Sequence, residues 1–161
     1  MKSVRRITLA AFLVLAPALA VAQAQIALSG LSADPGAPVE VTAESLSIDQ
    51  NARSAVFSGD VVIAQGEMRI AAGRAEVHYS EETGEIARLV LSGGVTFVTA
   101  EEEAGAERAE YDLAGGELVL SGDVLLSQGP NVLSADEMRV NLRDGTAQMQ
   151  GRVRTLFGSG Q

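Results

Sequence analysis

The chain has 161 residues, a length that suits one domain with its own hydrophobic core. It contains no cysteine, so a disulfide cannot stabilise it. Its formal net charge of −9 disfavours a broad binding surface for nucleic acid phosphates or anionic headgroups, and we expect no nucleic acid partner.

The first element in chain order is an apolar segment behind a basic start. Three basic residues among the first six precede an apolar run over residues 7–22, and small residues follow with Ala-x-Ala spacing. This pattern is typical of a secretory signal peptide, and the run is shorter than the ~20 residues of a membrane span. We predict a signal peptide over residues 1–24, cleaved after Ala22 or Ala24, and a flexible lead-in over residues 25–37. The alternative is an uncleaved membrane anchor.

A repeated motif organises the remaining chain. The motif is G-x-V, and its glycines are Gly59, Gly93, Gly122 and Gly151, at spacings of 34, 29 and 29 residues. The five additional residues in the second interval fall around the turn-like segment SEETGEIAR. A period of this length predicts a stacked β architecture of four units of about 29 residues each.

Each unit has the two-residue alternation of β-strands. Phe57, Gly59, Val61 and Ile63 share one face, and the later units repeat this column pattern. Glycine inside a strand marks a bulge, a bend or the close approach of another backbone. We therefore predict that the sheet bends at the same height in every unit, so that its apolar faces turn toward each other. The alternation alone favours an ordinary core filled by its own side chains over an open apolar channel.

A resemblance to a known family adds to this interpretation. The segments VEVTAESLSID, VFSGDVVIAQG, AEYD and LSGDVLLSQG occur in this order behind the predicted signal peptide. Together they make residues 38–157 resemble the LptA/OstA family of periplasmic lipopolysaccharide-transport bridge proteins. Residues 158–161 would form a tail.

The resemblance implies an all-β fold, an open, twisted antiparallel β-jelly roll built from the four repeats. It implies a periplasmic protein that binds lipopolysaccharide acyl chains in an apolar groove and passes them from the inner to the outer membrane. Its partners would be an LptC-like inner-membrane protein, an LptD-like outer-membrane translocon and, head to tail, further copies of itself. The groove residues would be Leu46, Ile48, Phe57, Val61, Ile63, Met68, Ile70, Val77, Tyr79, Leu91, Val95, Phe97, Tyr111, Leu120, Val124, Leu126, Leu133, Met138, Val140 and Val153.

Two other functions stay open at this point. One is an LptC-like anchored adaptor or β-jelly-roll scaffold without lipid transfer, which a retained N-terminal anchor would favour. The other is a polysaccharide-acting enzyme on a β-solenoid, which needs an exposed row of carboxylates, arginines or aromatic residues that the sequence does not show.

Catalytic chemistry has little support in the sequence. The single histidine, His78, is expected on the polar face of its strand beside Glu76. Asp60 and Asp123 hold matched outward positions beside the glycines, and their repeat origin explains them better than acid–base chemistry does. The Glu101–Glu103 run lacks the spaced oxygen ligands of a calcium loop. We expect no enzyme activity, no cofactor and no metal site.

Two further expectations concern the edge strands of the stack and the strand that contains Glu102. Val39–Ile48 and Gly151–Phe157 are the first and last strand candidates, so they are expected to be the open edges of the stack. Glu102 stands where the first unit has Met68, which predicts either a short strand or a locally open groove at this position.

Overall fold

The structure is a computed structural model that describes residues 25–27, 34 and 36–158. The predicted signal peptide lies outside the described residues. The described residues form strands and their connections and no helix. Accordingly, the described part of the chain offers no helix long and apolar enough to cross a membrane.

Eleven strands make up the described chain. They are β1 Gln25–Ala27, β2 Val39–Thr42, β3 Ser45–Asp49, β4 Ser54–Gln65, β5 Met68–Tyr79, β6 Ile86–Val98, β7 Glu102–Asp112, β8 Glu117–Gln128, β9 Asn131–Asn141, β10 Thr146–Gln150 and β11 Arg154–Leu156. The predicted two-residue alternation appears in their burial, because inward and outward residues alternate along the long strands β4 to β9.

All eleven strands belong to one antiparallel sheet. Its order is β1-β10-β9-β8-β7-β6-β5-β4-β2, while β3 pairs with the first half of β4 and β11 with the first half of β9. The sheet has two free ends and does not close into a barrel. This topology confirms the prediction of an all-β, open, antiparallel architecture.

The repeated glycines form bulges in the long strands. Gly59, Gly93 and Gly122 have φ angles of 83°, 82° and 82°, and the strand register shifts at each of them. Gly151 has a φ of 74° and lies between β10 and β11, which pair with the two halves of β9. Two residues thus oppose one residue of the neighbouring strand, a bulge geometry that bends a strand and increases its twist.

The residue after each of three glycines also has a positive φ. These residues are Asp60, Asp123 and Arg152, with φ angles of 42°, 44° and 43°. Aspartate accepts the left-handed conformation more readily than most residues do. The aspartates at matched positions of the repeat therefore have a backbone role at the bulge.

The bulges divide the sheet into two layers that face each other. Layer one contains residues 45–49, 54–58, 74–79, 86–92, 108–112, 117–121, 137–141 and 146–150; layer two contains residues 39–42, 61–65, 68–72, 95–98, 102–106, 124–128, 131–135 and 154–156. Inward residues of both layers form one buried hydrophobic cluster, which a single flat sheet could not provide. Among the described strands, only hydrogen-bonded neighbours approach within 8 Å between Cα atoms. Away from the bulges, where the long strands cross from one layer to the other, the layers are therefore held together by side chains alone.

The edges of the stack differ from one end to the other. At one end no described strand pairs with the outer side of β2 or β3, and at the other end none pairs with the outer side of β11 or β1. This arrangement agrees with the edge strands predicted from the sequence. However, β10 is covered by β1, whose residues 25–27 belong to the segment expected to be a flexible lead-in.

Candidate functional site

The apolar interior between the two layers is the candidate functional site. Most of the predicted groove residues lie in this interior with almost no exposed surface. They are Val61, Ile63, Met68, Ile70, Val77, Leu91, Val95, Phe97, Tyr111, Leu120, Val124, Leu126, Leu133, Met138 and Val140. The bulges and the strand alternation bring these residues together, because each one follows the inward register of its strand.

The remaining five predicted residues lie toward the ends of the stack. Phe57 and Tyr79 are half-buried against the cluster. Leu46 and Ile48 are 52% and 66% exposed on the edge strand β3, and Val153 is 50% exposed before β11. Leu46 of β3 is opposite Phe57 of β4, so it continues the inward-facing surface of β4 onto the edge strand β3. The interior thus continues as an exposed apolar surface at both ends.

Further interior residues were not among the predicted ones. They are Ala55, Ala72, Ala75, Leu89, Ala104, Ala109, Leu118, Ala135, Leu142 and Ala147, with Gln65 and Glu102 as the buried polar residues. The alternation that placed Leu91 and Leu120 inside would also have placed Leu89 and Leu118 there. The alanines carry a weaker signal, since alanine occurs on both faces of these strands.

The interior is closed to water in this structure. Ile63, Ile70, Leu91, Phe97 and Leu126 have 0% of their surface exposed, so no water-sized space adjoins them. Protein interiors packed in this way have few voids larger than a water molecule. An acyl chain would therefore have to part the layers or displace these side chains in order to enter.

Glu102 contradicts the expectation of a short strand or an open groove. Strand β7 begins at Glu102 and has 11 residues, and Glu102 is only 3% exposed. Its carboxylate accepts hydrogen bonds from the Thr99 hydroxyl at 2.8 Å and from the Gln128 side-chain amide at 3.2 Å. That expectation was wrong because these two donors allow a carboxylate to be buried where the first unit has a methionine.

A second buried polar contact crosses from one layer to the other. The Tyr111 hydroxyl donates to Gln65 Oε1 at 2.8 Å, and both side chains are almost fully buried. Gln65 Nε2 also donates to the Ala37 carbonyl at 3.1 Å. Gln65 ends β4 in layer two, whereas Tyr111 lies near the end of β7 in layer one. This hydrogen bond therefore joins the layers far from the bulges.

Burial raises the pKa of Tyr111 above its ordinary value of 10.0, with a smaller lowering by Arg143 and a further raising by Asp112. Because the folded state then holds this proton more tightly than the unfolded chain, Tyr111 contributes stability that is lost as the pH rises above about 10. Tyr111→Phe should remove this contribution. Between pH ~9 and ~11, the free energy of unfolding of the variant should therefore fall less steeply with pH than that of the wild type, and the two slopes should differ by up to about 1.4 kcal/mol per pH unit. Urea unfolding at several pH values measures the slope. Equal slopes in the variant and the wild type would contradict the assignment.

The outer face carries the charged residues. His78 Nε2 lies 3.2 Å from Glu76 Oε1, which confirms that this histidine is an exposed strand residue beside Glu76. Arg88 pairs with Glu110 at 3.1 Å across neighbouring strands. Such exposed ion pairs stabilise a fold by only about 0–1 kcal/mol. Within the described residues, no group of three or more histidines, cysteines or acidic residues could hold a metal ion.

Comparison with known families identifies the domain that these strands build. Residues 40–146 match the family described as "LptA/(LptD N-terminal domain) LPS transport protein". The chain belongs to this family. The match confirms the resemblance to the LptA/OstA family. It covers every strand from β3 to β9 together with most of β2.

Two relatives of this LPS transport family member show how far the sequence similarity extends. An uncharacterised protein of Rhizobium meliloti (strain 1021) is 29% identical over 137 residues, which cover 78% of this chain and 74% of that protein. The lipopolysaccharide export system protein LptA of Escherichia coli (strain K12) is 26% identical over 133 residues, 78% of this chain and 71% of that protein.

A solved structure shows the same fold. It is the crystal structure of LptH, the LptA-homologous periplasmic component of the lipopolysaccharide transport device of Pseudomonas aeruginosa. The TM-score is 0.70 at 16% sequence identity, over 78% of this chain and 98% of that chain. At this identity the likeness concerns the fold alone, and it confirms the LptA-like β-jelly roll.

Proposed function

We propose that this protein is a periplasmic, non-catalytic carrier that holds lipopolysaccharide acyl chains between its two layers on their way to the outer membrane. The observation that carries the proposal is the continuous aliphatic interior, which runs from one end of the stack to the other. Each methylene removed from water contributes about 0.8 kcal/mol, so such a surface stabilises several acyl chains without a specific site. The predicted signal peptide over residues 1–24 would deliver the chain to the periplasm.

The ends of the stack support a role within a larger assembly. The unpaired strands β2 and β3 at one end, and β11 at the other, present main-chain groups that can pair with a further strand. Leu46 and Ile48 on one end and Phe157, which is 78% exposed, on the other would continue the interior into the next domain. The partners in this proposal are an LptC-like inner-membrane protein, an LptD-like translocon and further copies of the chain.

One observation favours a second function. The interior side chains fill the space between the layers, which is also what a scaffold or adaptor without lipid transfer would show. In that case the edges would still pair with neighbouring domains, but no lipid would enter. The two functions differ in whether lipid touches the inward face.

Photo-crosslinking in cells separates the two functions. A benzoyl-phenylalanine at Phe97 faces the interior, whereas one at the adjacent Thr96 faces outward. We expect lipopolysaccharide adducts at position 97 and none at position 96, because successive residues of a strand point to opposite faces. The exposed pair Leu46 and Ser47 repeats the comparison on β3, where an added bulky group does not disturb the core. Adducts at the outward positions alone would reject the carrier function.

A further inference from the structure

The two layers come together a second time on the side away from the bulges, which we call the mouth. Here Gln65, at the end of β4 in layer two, lies across from the layer-one connections at residues 80–85 and 113–116. A cleft of about 680 Å³ lies between them. Its lining includes Val39 and Gln65 of layer two with Ala37 just before β2, and Tyr79 and Ile86 of layer one with Leu113 just after β7. Its volume is within the range of about 300–1,000 Å³ that is usual for ligand pockets.

Gln65 belongs both to this cleft and to the closed interior. It lines the cleft, it is 2% exposed, and its side-chain oxygen accepts the hydrogen bond of the Tyr111 hydroxyl across the layers. Tyr79, Ile86 and Leu113, which also line the cleft, are partly buried hydrophobic residues packed against the core cluster. The cleft and the interior are thus adjacent, and the Gln65–Tyr111 hydrogen bond stands at their boundary.

We propose that the Gln65–Tyr111 hydrogen bond is a latch that closes the mouth, and that a single acyl chain passes from the mouth cleft into the interior when it opens. This inference rests on the proposed lipid-binding function. The chemistry of the cleft suits an alkyl chain, because apolar side chains of both layers line it and Glu85 is the one charged residue among the lining residues that the structure describes. An anionic headgroup would remain in solvent, outside the layers.

Breaking the latch hydrogen bond itself costs little, because both of its groups can exchange it for water when the mouth opens. Only side chains join the layers away from the bulges, so parting them there breaks no backbone hydrogen bond between strands. On opening, Gln65 stays with layer two, because its amide nitrogen is held by the Ala37 carbonyl before β2. Tyr111 stays with layer one, because β7 pairs there with β6 and β8.

The repeat supplies a matched control. Gln128 occupies the position equivalent to Gln65 in the later SGDV-x-x-x-QG segment. Its side-chain amide donates to Glu102 on the neighbouring strand of the same layer, so it does not cross the interior. Replacing Gln128 removes a side-chain hydrogen bond at the equivalent strand end without touching the Gln65–Tyr111 contact between the layers.

Hydrogen exchange of the lipid-free protein tests the closure directly. We expect Tyr111→Phe and Gln65→Met to increase amide exchange about five-fold at residues 62–65 and 108–111, the factor expected for the loss of one ordinary hydrogen bond. Gln128→Met should leave these amides unchanged. Residues 124–126 exchange through global unfolding and should exchange faster in all three variants, because each variant lacks a hydrogen bond that only the folded state makes. Unchanged exchange at the mouth in both latch variants would overturn the latch.

Stopped-flow binding of cis-parinaric acid, a fluorescent fatty acid, tests passage through the mouth. The latch variants should bind it about five-fold faster than the wild type and Gln128→Met, with equal final occupancy at saturation. Equal association rates in all four proteins would overturn the latch and leave the carrier function standing. No binding by any of them, with faster exchange in the latch variants, would overturn the carrier function and the acyl passage with it.

Discussion

Leu126→Ala is expected to destabilise the protein by about 3 kcal/mol, because it removes a fully buried side chain from the space between the layers. The adjacent Leu125→Ala removes the same atoms from the outer face, where the side chain is 48% exposed, and should cost less than about 1 kcal/mol. Urea unfolding of both variants measures the difference. The pair isolates the effect of facing the interior, since the strand and the residue type are the same.

The comparison also tests the register of β8. A shift of one residue would exchange the faces of Leu125 and Leu126. If Leu125→Ala were the more destabilising variant, the interior described here would be on the wrong side of the sheet. Equal effects would show that the two layers do not enclose a core at this position.

Gly122→Ala should destabilise the protein by about 2–4 kcal/mol. Gly122 has a φ of 82°, a conformation that costs a residue with a Cβ about 1–2 kcal/mol. The new Cβ would also lie 2.8 Å from the Cβ of Glu107 on the neighbouring strand, so one of them must move. Chemical denaturation measured by circular dichroism gives the loss.

Gly105→Ala is the matched control for this substitution. Gly105 lies in β7 without a positive φ, and a Cβ there meets nothing within 4 Å. Its substitution should change stability by no more than about 1 kcal/mol, and in the stabilising direction. Glu107→Ala combined with Gly122→Ala should recover only the part of the loss that is due to the Glu107 carboxylate and Cγ, because the Cβ of residue 107 remains. A loss at Gly105 as large as that at Gly122 would contradict the role of the bulge.

The parts of the fold that depend on local pattern could be predicted from the sequence. The bulges at Gly59, Gly93 and Gly122 could be expected because glycine recurs inside a strand pattern at matched positions of the repeat. The inward direction of Phe97 and Leu126 follows from the same alternation. These features involve neighbouring residues or neighbouring strands, which a repeated sequence displays directly.

Features that depend on contacts across the stack could not be predicted. Nothing near Gln65 indicates that Tyr111, 46 residues later, lies opposite it, because that contact depends on how far one layer is twisted over the other. Glu102 is unexpected as a buried residue for a related reason, since its donor Gln128 comes from the next long strand. Whether the interior is filled is likewise set by side-chain volumes in two layers together.

The pairing of β1 with β10 has a consequence for the order in which the protein can mature. Gln25 is opposite Gln148, so β1 and its partner strand are separated by most of the length of the chain. Every other strand pairs with one close to it along the chain and can assemble progressively by local hairpins. The β1 segment can pair only after β10 has joined the sheet, so the docking of β1 is a late step of folding.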